Sequence, residues 1–192
     1  MRRTAVGGGA LLVSGSGLSA LTGVASAATL PEGDLAYVRL LIAAELLALD
    51  FQTNALASGK LRHDGASAVV RRMRADEKAH YTRLAGLMED AGQTAATAGD
   101  IDFAYPAGSF RSQASILRLA GRLERLSVGA YLGAVESVET PQLRLPIGQI
   151  AANEAQHAGA VAALAGRPVI GKAFVPRLPM AAVSDALDEF ES

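Results

Sequence analysis

Two Glu-x-x-His pairs, Glu77/His80 in DEKAH and Glu154/His157 in NEAQH, are the residues of this chain whose types and spacing best suit chemistry. A three-residue offset sets a carboxylate and an imidazole on one face of a helix. Two such helices meeting in a bundle offer four of the ligands that a dinuclear carboxylate metal site requires. Hard carboxylate oxygens with two imidazoles suit iron, or alternatively manganese, because such a shell tolerates the change between divalent and trivalent states.

The register of each pair strengthens the reading. Val70, Met73, Glu77, His80, Leu84 and Leu87 are spaced 3-4-3-4-3, and so are Ile147, Ile150, Glu154, His157, Val161 and Leu164. Both pairs therefore occupy the inward stripe of an amphipathic helix, where a charged Glu costs several kcal/mol unless it is paired, protonated or bound to metal. A single Glu-x-x-His is more often a solvated helix face. Two in matching registers reverse that preference.

Each remaining helix of such a site should add one inward Glu at the same height. Glu45 lies among Val38, Ile42, Leu49, Gln52 and Leu56 at 4-3-4-3-4 spacing. It stands about as far as Glu77 from the turn-like GKLRHDGAS. The second half offers Glu124 and Glu136. Glu124 shares a stripe with Leu117, Ala120, Ser127, Tyr131, Ala134 and Val138, and it is nearly equidistant with Glu154 from the turn at ETPQ. Glu136 lies off that stripe and, at about 1.5 Å per residue, about 18 Å further along the axis, so it reads as an exposed helix-end carboxylate. The expected metal ligands are Glu45, Glu77, His80, Glu124, Glu154 and His157, for two iron ions, with manganese as the alternative.

The elements that must position them are four helices, at about 34–58, 66–91, 109–138 and 141–165. Glu45 and Glu77 are 32 positions apart and Glu124 and Glu154 are 30, the pattern of a duplicated helical hairpin packed on itself. Between the hairpins, GQTAATAGDIDFAYPAGS is too long for a tight turn. Extended at about 3.3 Å per residue it can run the length of a helix, which favours one long crossover over a plain up-down-up-down bundle. Beyond Gly166, a Pro-rich segment leads to AAVSDALDEF, expected as a short helix outside the bundle. The fold class is thus all-α, with a bundle over 28–166 and a tail over 167–192.

AELLALDF, DEKAH, LERLSVGAYLGA, ANEAQHAGAV and the tail GKAFVPRLPMAAVSDALDEF together resemble the ferritin-like superfamily, and more narrowly its exported bacterial ferritin-like domain proteins. The resemblance covers roughly residues 33 to 190. It implies a ferritin-like four-helix bundle with a di-iron centre, in which Glu77 and Glu154 bridge the metals while Glu45, Glu124, His80 and His157 are terminal ligands. One position departs from the pattern. Many ferritin-like chains carry Tyr seven residues after the first-helix Glu; here that residue is Gln52, and Tyr131 stands seven after Glu124 instead.

The amino terminus bears on location. MRR, an apolar stretch broken by Gly and Ser, and Ala25-Ser26-Ala27 have the three regions of a signal peptide over residues 1–27, with cleavage near Ala28. Arg2 and Arg3 ahead of a stretch of modest hydrophobicity suggest twin-arginine export, with ordinary secretion or an uncleaved anchor as the alternatives. The expected place is the cell envelope or the extracellular space.

Composition narrows the function classes. The chain has 192 residues and no cysteine, so thiolate ligands, a cysteine nucleophile and disulfides are excluded. Without residues 1–27, 16 basic and 19 acidic side chains remain, and no nucleic-acid signature follows. Arg71, Arg72 and Arg74 read as a solvated face, His63 as an exposed turn residue, and Tyr81 as facing a neighbouring surface. No apolar run after residue 27 is long enough to span a bilayer, so the expected partners are metal ions with oxygen or peroxide, and a homo-oligomer is compatible with the bundle. Two functions follow: Fe(II) oxidation or consumption of peroxide or oxygen, or a non-enzymatic envelope or stress-associated bundle that keeps a structural, storage or vestigial metal site.

Overall fold

The computed structural model describes residues 29–62 and 65–191. The expected signal segment and His63 lie outside them. Among the described residues five helices run α1 Glu32–Ala57, α2 Ala66–Asp90, α3 Gln113–Ser137, α4 Pro141–Leu164 and α5 Met180–Asp188. Among the described residues no helix is long and apolar enough to cross a membrane. The fold is all-α, a helical bundle as the periodicity requires, with one isolated bridge, Phe103 to Glu191.

Two hairpins build the bundle. α1 turns into α2 through a loop in which Gly59 and Gly65 take the left-handed φ values of +65° and +70° that glycine adopts at no steric cost. α3 turns into α4 through residues 138–140, and Pro141 opens α4 where a missing N–H breaks no helical bond. The hairpins are locked head to tail. Asp34, near the start of α1, accepts from the backbone N–H groups of Glu139 (2.8 Å) and Thr140 (2.9 Å) in the other hairpin's turn. At the start of α3, Gln113 Oε1 accepts from Arg62 N in the first turn, at 3.1 Å. The start of each leading helix therefore meets the turn of the other hairpin, and the crossover over 91–112 runs the length of the bundle.

α3 begins four residues later than its pattern predicts. Ser112 is extended, and its hydroxyl accepts from Ser115 N in a reciprocal capping box that fixes the helix start. Phe110 stays in the crossover, where it packs with Tyr105 on Phe51 of α1. α2 buries a single stripe that includes Met73, Glu77, His80 and Leu84, with Met88 rather than the expected Leu87 as its last fully buried residue. α1 differs: of its predicted stripe it buries Val38, Ile42, Glu45 and Gln52 but leaves Leu49 and Leu56 half-buried, and it also buries Leu41, Leu46, Leu47 and Ala48. The crossover and α5 cover its second face: Tyr105 donates to Asp50 at 2.8 Å, and Phe190 stacks against Tyr105.

The tail covers α3 in turn. Leu178 N donates to Gly129 O at 2.8 Å, and a Cβ on Gly133 would stand 2.0 Å from Leu178 O, so α3 needs glycine there for the chain to cross it. α5 then buries Val183 and Leu187 against the outside of the bundle. Each such side chain contributes about 1.5–3 kcal/mol on burial.

Candidate metal centre

Four helices each bring a carboxylate to one level of the core. α1 supplies Glu45, α2 Glu77 and His80, α3 Glu124, and α4 Glu154 and His157, and all six are buried. Helical periodicity causes this, because each group sits in a stripe whose flanking residues, such as Ile42, Met73, Ala120 and Ile150, are drawn inward by their apolar side chains. Glu136 is elsewhere: it is exposed and ion-paired with Arg177 of the tail.

The six groups form two overlapping sets that could hold a metal ion. Glu45, Glu77, His80 and Glu154 make one, and Glu77, Glu124, Glu154 and His157 the other; within each, one donor atom per residue lies within 4.8 Å of all the others. Glu77 and Glu154 belong to both. His80 Nδ1 is 3.0 Å from Glu77 Oε2, 3.0 Å from Glu154 Oε1 and 3.6 Å from Glu45 Oε2. His157 Nδ1 is 3.2 Å from Glu77 Oε1, 3.6 Å from Glu124 Oε2 and 3.9 Å from Glu154 Oε1. Both imidazoles present the same nitrogen to the centre.

The electrostatics show how much charge has been gathered. Burial pushes the Glu45 and Glu154 carboxyls well above the usual range against the opposing pull of His80, and burial raises Glu124 to about 7 although His157 works the other way. Glu77 is the exception. Burial disfavours its charge, yet His157 and His80, with Gln52, hold it well below the usual range. Burial also works against the charged rings, but the surrounding carboxylates raise His80 to about 12 and His157 to about 11. Without a cation, protons must therefore do the neutralising.

The donor set fits a cation better than it fits hydrogen bonding. Glu45 Oε2, Glu124 Oε2, Glu154 Oε1 and His157 Nδ1 are buried, and beyond their charge contacts with one another none makes a well-aligned hydrogen bond among the described residues. Leaving such atoms unpaired costs about 1–3 kcal/mol each, and more when charged. Four carboxylates with two imidazoles form the oxygen-rich set that iron and manganese take, and their four negative charges would balance two divalent ions.

Three neighbours shape the cluster. Tyr131 donates its hydroxyl to Glu45 Oε1, leaving Oε2 toward the centre. Gln52 Nε2 donates to Glu77 Oε1 at 2.9 Å. Asp76 Oδ2 lies 3.4 Å from His157 Nε2, and both Asp76 oxygens accept from Arg72. The periodicity does not single out Asp76, because it stands one residue off the α2 stripe. Its signal was adjacency to Glu77, obscured by an Arg72–Asp76 spacing that reads as an ordinary surface pair.

Comparison with curated proteins finds no match for the chain. The sequence model of the ferritin-like domain matches residues 33–167, a span that contains all four bundle helices and all six clustered groups but for the first residue of α1. The chain belongs to the ferritin-like domain family.

Proposed function

We propose that the chain is an exported ferritin-like protein in which Glu45, Glu77, His80, Glu124, Glu154 and His157 hold two iron ions, or alternatively manganese. Its activity in this reading is oxidation of Fe(II) or consumption of peroxide or oxygen in the cell envelope. The sharing of Glu77 and Glu154 between the two donor sets carries the proposal, because a shared carboxylate pair is what joins two cations rather than holding one. When bound, such a metal pair supplies electrons to oxygen or peroxide.

The chain's own residues do the rest. Glu77 and Glu154 offer oxygens to both positions; Glu45 with His80, and Glu124 with His157, close the two ends. Tyr131 holds Glu45 with its other oxygen aimed inward, and Gln52 steadies Glu77, both of whose oxygens face the imidazoles. Ile42, Met73, Leu84, Ile147 and Ile150 keep bulk water away. Export is supported by Arg2, Arg3 and Ala25-Ser26-Ala27, and intact-mass measurement of the secreted protein should give a chain beginning near Ala28.

Metal analysis of the purified mature protein, then anaerobic Fe(II) addition and exposure to oxygen or peroxide, tests the activity. The expected result is about two iron or manganese ions per chain and an optical change on oxidation. A well-folded protein from its own host that holds no metal and takes up neither Fe(II) nor Mn(II) would overturn the proposal. A non-enzymatic structural or storage site is the second reading, favoured by the mutual neutralisation of the imidazoles and carboxylates, which lets the bundle tolerate these groups without turnover. Bound metal that does not cycle on addition of oxidant would select it.

A further inference from the structure

A groove of about 470 Å³ opens on the surface between α2 and α4, and its floor includes His157 and Asp76. We infer that divalent cations reach the buried centre through this groove, with Asp76 as the carboxylate that first captures them and Arg72 as its cap. The inference rests on the dinuclear reading above. It concerns residues outside the ligand set.

Three observations converge on it. Of the six groups His157 on α4 lines the groove, whereas Glu45 and Glu124 lie on the helices that the crossover and the tail cover. Approach from the α1 or α3 side would have to displace packed chain. From the α2–α4 side it meets the short Ala68 and Ala160 and the polar Gln156, and then His157.

Asp76 is placed to receive a cation there. Its side chain is 17 % exposed, so it faces both solvent and the His157 ring, whose Nε2 is 3.4 Å from Asp76 Oδ2. Arg72 occupies the outer side of the same carboxylate, with Nη2 2.8 Å from Oδ1 and Nε donating to Oδ2 at 2.9 Å. The guanidinium is itself 78 % exposed, and a pair so open to water is weak and readily parted by an arriving cation. Arg72 therefore hides the carboxylate until a cation replaces it. A carboxylate at the mouth of a narrow opening raises the local cation concentration and so the rate of association.

The test is stopped-flow uptake of Co(II) by the metal-free full chain, read by visible absorption, with final metal content measured separately. Asp76→Asn keeps an oxygen that can accept from His157 Nε2 but removes the charge. It should slow uptake by on the order of tenfold at low salt while leaving the final content unchanged. The rate for the unaltered chain should fall with added salt and that of Asp76→Asn should fall less. Arg72→Ala should accelerate uptake, Gln156→Trp should slow it by filling the groove, and Thr82→Trp on the exposed outer face of α2 should leave it unchanged. Asp76→Asn decides alone if the indole at Gln156 prevents folding. Full final binding with equal rates in the unaltered chain and Asp76→Asn would overturn the route and leave the metal centre standing. An unaltered chain that binds no Co(II), Fe(II) or Mn(II) at equilibrium would overturn both.

Discussion

The two hairpins place their buried Glu and His groups in the same registers and surround them differently. Seven residues after its buried Glu, α1 carries Gln52, which bonds Glu77, while α3 carries Tyr131, which bonds Glu45. Before the Glu of the Glu-x-x-His pair, α2 has Asp76 beside His157, whereas α4 has the uncharged Asn153. The outer face of α1 is covered by the aromatic residues of the crossover, and that of α3 by a strand of tail crossing Gly129 and Gly133. The two hairpins thus share the groups that must converge. The two halves of the centre are chemically unequal because their neighbours differ.

The sharpest test of that comparison is removal of ligands half by half. Glu77→Ala or Glu154→Ala should abolish binding of both metals, since each belongs to both donor sets; Glu45→Ala and Glu124→Ala should each lose one ion and keep the other. Elemental analysis separates these outcomes. Glu136→Ala should bind as the unaltered chain does, and loss of metal there with retention in Glu124→Ala would reverse the assignment.

The next effect is on pH. Binding needs neutral imidazoles and ionised carboxylates, but His80 and His157 hold their protons up to about 12 and about 11, Glu124 to about 7, and Glu45 and Glu154 well above the ordinary range. Apparent affinity should therefore rise with pH, by about tenfold per pH unit for each proton displaced. Stability of the metal-free chain runs the opposite way. Because the folded values of Glu45, Glu154 and the two imidazoles are raised, their contribution is complete below the unfolded values, near 4.5 for Glu and 6.5 for His, and is lost as pH climbs toward the folded ones. Melting with and without Mn(II) should show a gap that is wider at pH 8 than at pH 5.5.

The covering of the two leading helices predicts a third asymmetry. Gly133→Ala drives a methyl group into the Leu178 carbonyl and should cost about 3 kcal/mol, lowering Tm by about 6–12 °C. Ala at Asn54, the counterpart nine residues after Glu45, lies exposed and should change stability by less than about 0.5 kcal/mol. Thermal unfolding of the two variants decides whether the tail is part of the folded unit.

The smallest effect separates the two inter-hairpin contacts. Asp34 is buried, and although burial opposes its charge, hydrogen bonding at Thr140 and Glu139 keeps its carboxyl below the usual range; Asp34→Ala should cost about 2 kcal/mol. Its contribution is present above the unfolded value, near 3.8, and disappears as pH falls through the lower folded one. Gln113→Ala, at the equivalent place on α3, removes the neutral bond from Arg62 N and should cost about 1 kcal/mol, measured by urea unfolding.

Much of this was legible before any coordinates. Apolar spacing on both sides of each ligand fixed which face of each helix turns inward, and equal distances from two turns fixed which carboxylates share a level, so Glu124 could be separated from Glu136 by counting alone. That works because helical geometry converts sequence offset into direction and height without reference to the rest of the fold. The second buried face of α1 could not be read this way, since the residues that cover it come from the crossover and α5, more than 50 positions away. Nor could the role of Asp76, which sits off its own helix's stripe and gains meaning only from His157 on another helix. Periodicity determined what each helix presents; which helices and loops meet was decided by tertiary packing, because contacts between distant segments depend on the summed burial of the whole chain and leave no local trace.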